Sequence, residues 1–279
     1  MPLGFNLLLW TTHVTDAHWP TIEALAATGY DGVEVPVFEG DPEDYRAIGR
    51  RLADLGLRST VVGVMAEDGN VVAEDACLRE RGQAHLSWLV ECSQALGAEV
   101  LCGPFHQPLG QFSGAGQTQG EFERMAEAHR AMADEAGDLR LAVEPLNRFE
   151  CYVLNTAAQS AQLVEAVDRP NYGYLYDTFH ANIEERDPVG AIDATARHIA
   201  HVHVSENDRG TPGRGHIDFA PVFERLAANG YGGWLVVESF GHALPDLAAA
   251  TKVWRPLFGS EAEVYEEGFK LMKDGWHGD

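Results

Sequence analysis

The feature that most constrains this chain is an alternation: strand-length apolar runs and longer amphipathic segments follow one another from one end to the other. Strand candidates fall at Phe5–Trp10, Gly32–Val37, Ser59–Val64, Val100–Gly103, Leu141–Glu144, Tyr172–Asp177, Ile199–Val204 and Trp234–Glu238, eight in all. Between them Trp19–Thr28, Pro42–Leu55, Asp75–Leu96, Gly120–Ala136, Thr156–Val167, Pro188–Ala196 and Pro221–Asn229 read as helices, several opening on Pro or just after a capping residue. Gly29, Gly56 and Gly97 each stand where a helix stops just before a strand.

A helix between consecutive strands carries the chain back so that the next strand runs parallel to the last. Eight such units predict an α/β fold, a (β/α)₈ TIM barrel, as one domain over residues 1–279. An extra C-terminal helix is expected after Pro256, carrying Phe269, Leu271, Met272 and Trp276 and packing across the barrel or against a partner subunit. The longest irregular stretch, Pro104 to Thr118, is rich in Gly, Gln and Pro and is expected to form a loop over the site.

Charge excludes some partners. With 43 acidic against 20 basic residues the net charge is −23, which repels phosphate backbones and anionic lipid, so neither nucleic acid nor a membrane is expected as a partner. A neutral or cation-bound small molecule fits better. Cys77, Cys92, Cys102 and Cys151 are far apart and form no C-x-x-C pair, which argues against a zinc knuckle or a disulfide framework. The N-terminus lacks a basic region before a long apolar core, so a cytoplasmic protein is expected.

In a barrel of this kind catalytic groups come from the C-terminal ends of the strands. Four consecutive strand candidates end in chemistry: Leu-Ala-Val-Glu at Glu144, Tyr-Gly-Tyr-Leu-Tyr-Asp at Asp177, His-Val-His at His203 and Trp-Leu-Val-Val-Glu at Glu238. Any one acid there is what a strand meeting a solvated loop would show. Together, three carboxylates at one mouth repel one another unless a cation sits among them, and an oxygen-and-nitrogen set suits Mn²⁺, Mg²⁺ or Co²⁺.

The segments Glu-Pro-Leu-Asn-Arg-Phe-Glu (144–150), Asp-Thr-Phe-His-Ala-Asn-Ile-Glu-Glu (177–185), His-Val-His-Val-Ser-Glu-Asn-Asp-Arg (201–209) and Val-Val-Glu-Ser-Phe (236–240) resemble the ketose 3-epimerases. These are the D-tagatose and D-allulose (D-psicose) 3-epimerases of the xylose-isomerase-like sugar isomerase and epimerase superfamily. The resemblance implies one bound divalent metal, Mn²⁺ foremost, held by Glu144, Asp177, His203 and Glu238, the set already reached from the strand ends. It implies substrate contacts from Glu150, His180 and Arg209, and catalysis on an unphosphorylated ketose through a cis-enediolate, with Glu144 and Glu238 as paired acid/bases. His106 follows the fourth strand and is a further candidate substrate contact. A homo-oligomer, dimer or tetramer, is expected.

The chain also departs from that pattern. Ser239 stands where the family commonly has Pro, the entry loop reads Gly103-Pro104-Phe105-His106-Gln107, and Gly213–Phe219 looks more like sugar isomerase and inosose dehydratase relatives. An aldose–ketose isomerase resembling hydroxypyruvate isomerase, or a keto-inositol dehydratase or lyase, would use the same metal and glutamates. A nuclease would need more ligands and a basic face. A sugar-binding module would not call for two glutamates flanking a metal.

Overall fold

In a computed structural model describing residues 1–277, eight parallel strands close into a barrel in chain order, the first pairing with the last. They are β1 (Leu3–Asn6), β2 (Gly32–Pro36), β3 (Arg58–Val62), β4 (Val100–Gly103), β5 (Arg140–Val143), β6 (Tyr172–Asp177), β7 (Ile199–Val204) and β8 (Leu235–Val237). The helices are α1 (Trp19–Thr28), α2 (Pro42–Asp54), α3 (Ala76–Leu96), α4 (Gln119–Ala136), α5 (Ala157–Val167), α6 (Thr178–Glu184), α7 (Pro188–Thr195), α8 (Phe219–Ala228), α9 (Pro245–Thr251) and α10 (Glu261–His277). No described helix is long and apolar enough to cross a membrane.

Local chemistry sets the boundaries. Thr118 and Thr156 open α4 and α5 with reciprocal capping boxes closed by Glu121 and Gln159, and Pro42 and Pro188 begin α2 and α7 behind capping aspartates. The first apolar run is not one strand. Asn6 accepts a hydrogen bond from the Leu8 backbone N–H at 2.8 Å and turns Leu7–Leu9 into a short 3₁₀ segment, so β1 ends at its capping residue. Two short helices, α6 and α9, add to those expected from the sequence; at seven residues each they are too short to display a helical period.

Strand alternation sorts the core into two layers. Val61, Leu101, Leu141, Val143, Leu235 and Val237 pack into the larger cluster with the helices, while their neighbours Val62, Val100, Cys102, Ala142 and Val236 join a second cluster inside the barrel. Gly32 is required there, because a Cβ would meet Trp234 Cη2 at 2.7 Å. Helix α10 lies against α1, α8 and β8 and completes the outer ring; its Tyr265 carbonyl accepts from the Tyr30 hydroxyl at 2.7 Å.

The stretch from Pro104 to Thr118 contains no helix or strand. It is nonetheless tied down: Gln107 Oε1 accepts from the backbone N–H groups of Tyr152 and Val153, both at 3.1 Å, and Gly110 donates to the Glu150 carbonyl at 2.9 Å. Loop 104–118 is thereby sewn to the loop that follows β5.

Candidate active site

Glu144 and Glu238 stand one residue beyond β5 and β8, Asp177 ends β6, and His203 is the penultimate residue of β7. Backbone pairing still holds both glutamates, Glu144 N–H donating to the Gly103 carbonyl at 3.0 Å and Glu238 N–H to that of Val204 at 3.2 Å. One ligand atom from each of Glu144, Asp177, His203 and Glu238 lies within 4.8 Å of every other, and all four residues are buried.

The donors are oriented for a shared partner. Asp177 uses Oδ1 to cap α6, accepting from Phe179 N–H at 2.6 Å, which leaves Oδ2 facing the cluster. His203 Nδ1 is buried without a hydrogen-bond partner and stands 3.3 Å from Glu238 Oε1 and 3.8 Å from Asp177 Oδ2. An unpartnered buried nitrogen facing carboxylates is what a cation would complete. Charge agrees. Arg209 Nη1 donates to Asp177 Oδ2 at 3.1 Å and to Glu238 Oε2 at 2.6 Å. One guanidinium against three clustered carboxylates leaves the site acidic on balance, and a bound cation would relieve that repulsion. These residues therefore fit a metal of the oxygen- and nitrogen-liganded type.

The same crowding shifts the acids in opposite directions. Burial, then repulsion from Glu238, pushes the Glu144 carboxyl well above its ordinary range. Burial would raise Asp177 too, but the Arg209 guanidinium and the neighbouring histidines hold it well below the usual carboxylate range.

The remaining expected residues arrive by different routes. His180 lies in the first turn of α6, its Nδ1 accepting from Asn147 N–H at 3.0 Å and its Nε2 3.5 Å from Glu144 Oε1. Glu150 is half-buried and accepts from Asn147 Nδ2 at 2.7 Å. Arg209 adopts a left-handed φ of 66°, a conformation that non-glycine residues hold only under constraint. The constraint is visible: its carbonyl accepts from Phe240 N–H at 2.9 Å and from the Ser239 hydroxyl at 2.8 Å, and Phe179 stacks on its guanidinium 3.7 Å from Cζ. Ser239 thus supplies a tether that a proline there would lack.

His106 is not brought to the cavity. Fully buried behind Glu144, it sets Nε2 3.0 Å from the Glu144 backbone carbonyl and packs into the frame rather than toward a substrate. Gly103 turns the chain away here with a φ of 124°, where an added Cβ would strike the Gly63 carbonyl. His216 is exposed, and Gly213 and Ile217 are pinned by Glu206 outside the cavity lining.

A cavity of about 470 Å³ opens above the cluster. Its polar side is Glu144, Glu150, His180, Arg209 and Glu238; its apolar side includes Leu8, Val37, Phe38, Val62, Met65, Phe240 and Leu247. Two larger hollows, of about 590 and 530 Å³, are more open, lie between α8 and α10 and at the opposite end of the barrel, and hold no ligand cluster among the described residues.

Sequence reasoning missed one buried acid. Glu34, in the middle of β2, accepts from the Thr60 hydroxyl at 2.9 Å and touches Nε2 of both His201 and His203, at 2.8 and 2.7 Å. The available signal was a glutamate inside the apolar run Gly-Val-Glu-Val-Pro of a strand with no solvent face.

Comparison with known proteins places the fold and the family. The sequence profile of the xylose isomerase-like TIM barrel matches residues 22–274. A probable ketose 3-epimerase of Synechocystis sp. is 35% identical over 276 residues, covering 97% of this chain and 95% of that one. The ketose 3-epimerase of Arthrobacter globiformis is 31% identical over 279 residues, covering 98% and 96%. The crystal structure of D-allulose 3-epimerase from Methylomonas sp. in complex with D-allulose superposes with a TM-score of 0.91 at 27% identity, over 98% of this chain and 96% of that one. The chain belongs to the xylose isomerase-like TIM-barrel family, in its ketose 3-epimerase branch.

Proposed function

We propose that this chain is a metal-dependent ketose 3-epimerase acting on an unphosphorylated ketose, with Glu144 and Glu238 as its two acid/base groups. The observation that carries the reading is the placement of those two glutamates within one buried ligand cluster, on strands separated by β6 and β7, at the polar side of the cavity. The activities of the relatives support the same reaction class.

A divalent cation held by Glu144, Asp177, His203 and Glu238, with Mn²⁺ first and Mg²⁺ or Co²⁺ as alternatives, supplies Lewis-acid polarisation of the C2 carbonyl and so acidifies C3–H. Inversion at C3 needs a base on one face and an acid on the other. Glu238 and Glu144 divide these tasks: one carboxylate removes the C3 proton, the other returns a proton to the opposite face, and the roles reverse with the direction of reaction. His180 Nε2 carries hydrogen because Nδ1 accepts from Asn147 N–H, and in this reading it donates toward Glu144 Oε1, 3.5 Å away, or to a substrate hydroxyl. Glu150 and Arg209 line the same side and are the remaining hydroxyl contacts in this reading.

The lining supports a neutral sugar. Among the described residues Arg209 is the one guanidinium in it and is already engaged by Asp177 and Glu238, while Glu67, Glu144, Glu150 and Glu238 would repel a phosphate. The apolar wall shelters the reacting carbons from water. Four free cysteines support a reducing, cytoplasmic setting, and the exposed Phe149 and Trp254 support a homo-oligomer, dimer or tetramer.

The test is turnover on a panel of free ketoses before and after chelation. Loss of activity on chelation and its return with Mn²⁺, Co²⁺ or Mg²⁺ is expected; full turnover in a demonstrably metal-free sample contradicts the reading. Inertness toward every ketose with Mn²⁺ bound contradicts the substrate class.

A further inference from the structure

Beneath the ligand cluster lies a second polar assembly that the reaction does not use directly, centred on Glu34. Its carboxylate is fully buried, and an isolated buried charge is costly enough that its partners must be accounted for. Oε1 faces His203 Nε2 at 2.7 Å and Asn6 Nδ2 at 3.0 Å; Oε2 faces His201 Nε2 at 2.8 Å, the Thr60 hydroxyl at 2.9 Å and the Cys102 thiol at 3.1 Å. Strands β1, β2, β3, β4 and β7 thus meet on one side chain.

An ionised carboxylate only accepts hydrogen bonds, so Nε2 of both histidines must carry hydrogen. A neutral imidazole protonated at Nε2 keeps its lone pair on Nδ1. For His203 that is the buried nitrogen without a hydrogen-bond partner that stands 3.3 Å from Glu238 Oε1. Asn6 extends the brace: its Oδ1 is fixed by Leu8 N–H at 2.8 Å, and its Nδ2 reaches Glu238 Oε1 at 3.4 Å as well as Glu34.

We infer that Glu34 is a positioning residue for the cation site: it fixes the ring orientation and the Nε2–H tautomer of His203 so that Nδ1 is presented to the metal. The inference rests on the reading of Glu144, Asp177, His203 and Glu238 as that site. Glu34, Cys102, His201 and His203 also cluster within 4.8 Å. That second group is a hydrogen-bonded hub rather than another cation site, because the Glu34 oxygens are taken by donors and the partnerless nitrogens, Nδ1 of His201 and His203, are on the ring sides away from it.

The experiment titrates Mn²⁺ into the chelated wild-type protein and into Glu34→Gln and Thr60→Val, with binding read by calorimetry. Glu34→Gln is expected to bind Mn²⁺ at least about tenfold more weakly while Thr60→Val, which removes another donor to the same carboxylate, stays within about twofold of wild type. A folded Glu34→Gln with wild-type Mn²⁺ affinity overturns the inference, and so does a variant whose only change is a lower melting temperature of the metal-free protein. A wild-type protein that binds no Mn²⁺ overturns the cation reading itself, which separates the two failures. Should Glu34→Gln not fold, ¹⁵N spectra of histidine-labelled wild type with Mg²⁺ decide: protonated Nε2 on His203 supports the inference, and protonated Nδ1 with bare Nε2 overturns it.

Discussion

The two halves of the barrel are built from strands of the same kind and do different work. Strands β5 to β8 deliver Glu144, Asp177, His203 and Glu238 to the mouth. Strands β1 to β4 end in Asn6, Pro36, Val62 and Gly103, and their half contributes Leu8, Val37, Phe38 and Val62 to the cavity wall. The first half still carries a charge, but Glu34 lies inside the barrel, where it braces His203 instead of meeting a ligand. On the proposed reading, the difference teaches that closing the barrel would let one half hold the chemistry while the other sets its geometry and shields it.

The largest effect that tests this division is on the proton-transfer groups. Glu144→Gln and Glu238→Gln are each expected to reduce kcat by at least ~10² with the fold intact, the usual scale for general acid–base groups. Steady-state kinetics with circular dichroism checks this; near wild-type kcat in either variant, with metal bound, breaks the two-base assignment. A smaller effect is expected on the opposite wall. Phe38→Ala should lower kcat/KM roughly tenfold, mainly through KM, as the loss of an apolar contact does. A kcat loss as deep as that of Glu144→Gln would erase the distinction between the halves.

The smallest effect concerns the frame that carries His106. Burial pushes His106 down to about 3 and His129 down to about 4, against an ordinary 6.5, so both stay neutral in the folded chain. The unfolded chain takes up protons first as pH falls below about 6.5, so stability present above that value is lost progressively on acidification. Melting temperature should therefore fall between about pH 7.5 and about pH 5, and His129→Gln should shrink that loss by about 2 kcal/mol. An unchanged pH slope in the variant contradicts the buried, neutral assignment.

The four candidate ligands were legible because each ends, or nearly ends, an apolar run, and a parallel barrel sends those ends to one mouth. Glu34 was not, because its meaning appears only when the barrel closes: with helices outside and side chains inside, a mid-strand acid has no solvent to face. His106 misled for the complementary reason. Its position after β4 suggested the mouth, but the left-handed turn at Gly103 aims it into the packing behind Glu144. The first strand was cut short by a cap at Asn6 whose donor, the Leu8 N–H, is invisible in a hydropathy pattern. His180 and Arg209, proposed as substrate contacts, were singled out by motif rather than period, since they reach the cavity from α6 and from a loop, by turns that the sequence does not spell out.

The central claim is that Glu144 and Glu238 exchange the proton on C3 of a free ketose. It is tested most directly by incubating fructose, tagatose and ribulose with the Mn²⁺-loaded enzyme in D₂O and locating the label in the recovered sugars by NMR. The account predicts deuterium at C3 together with the C3 epimer, and no label in the Glu144→Gln and Glu238→Gln variants beyond their residual turnover. Deuterium confined to C1 with an aldose product would contradict it and assign the same cluster to an aldose–ketose isomerase.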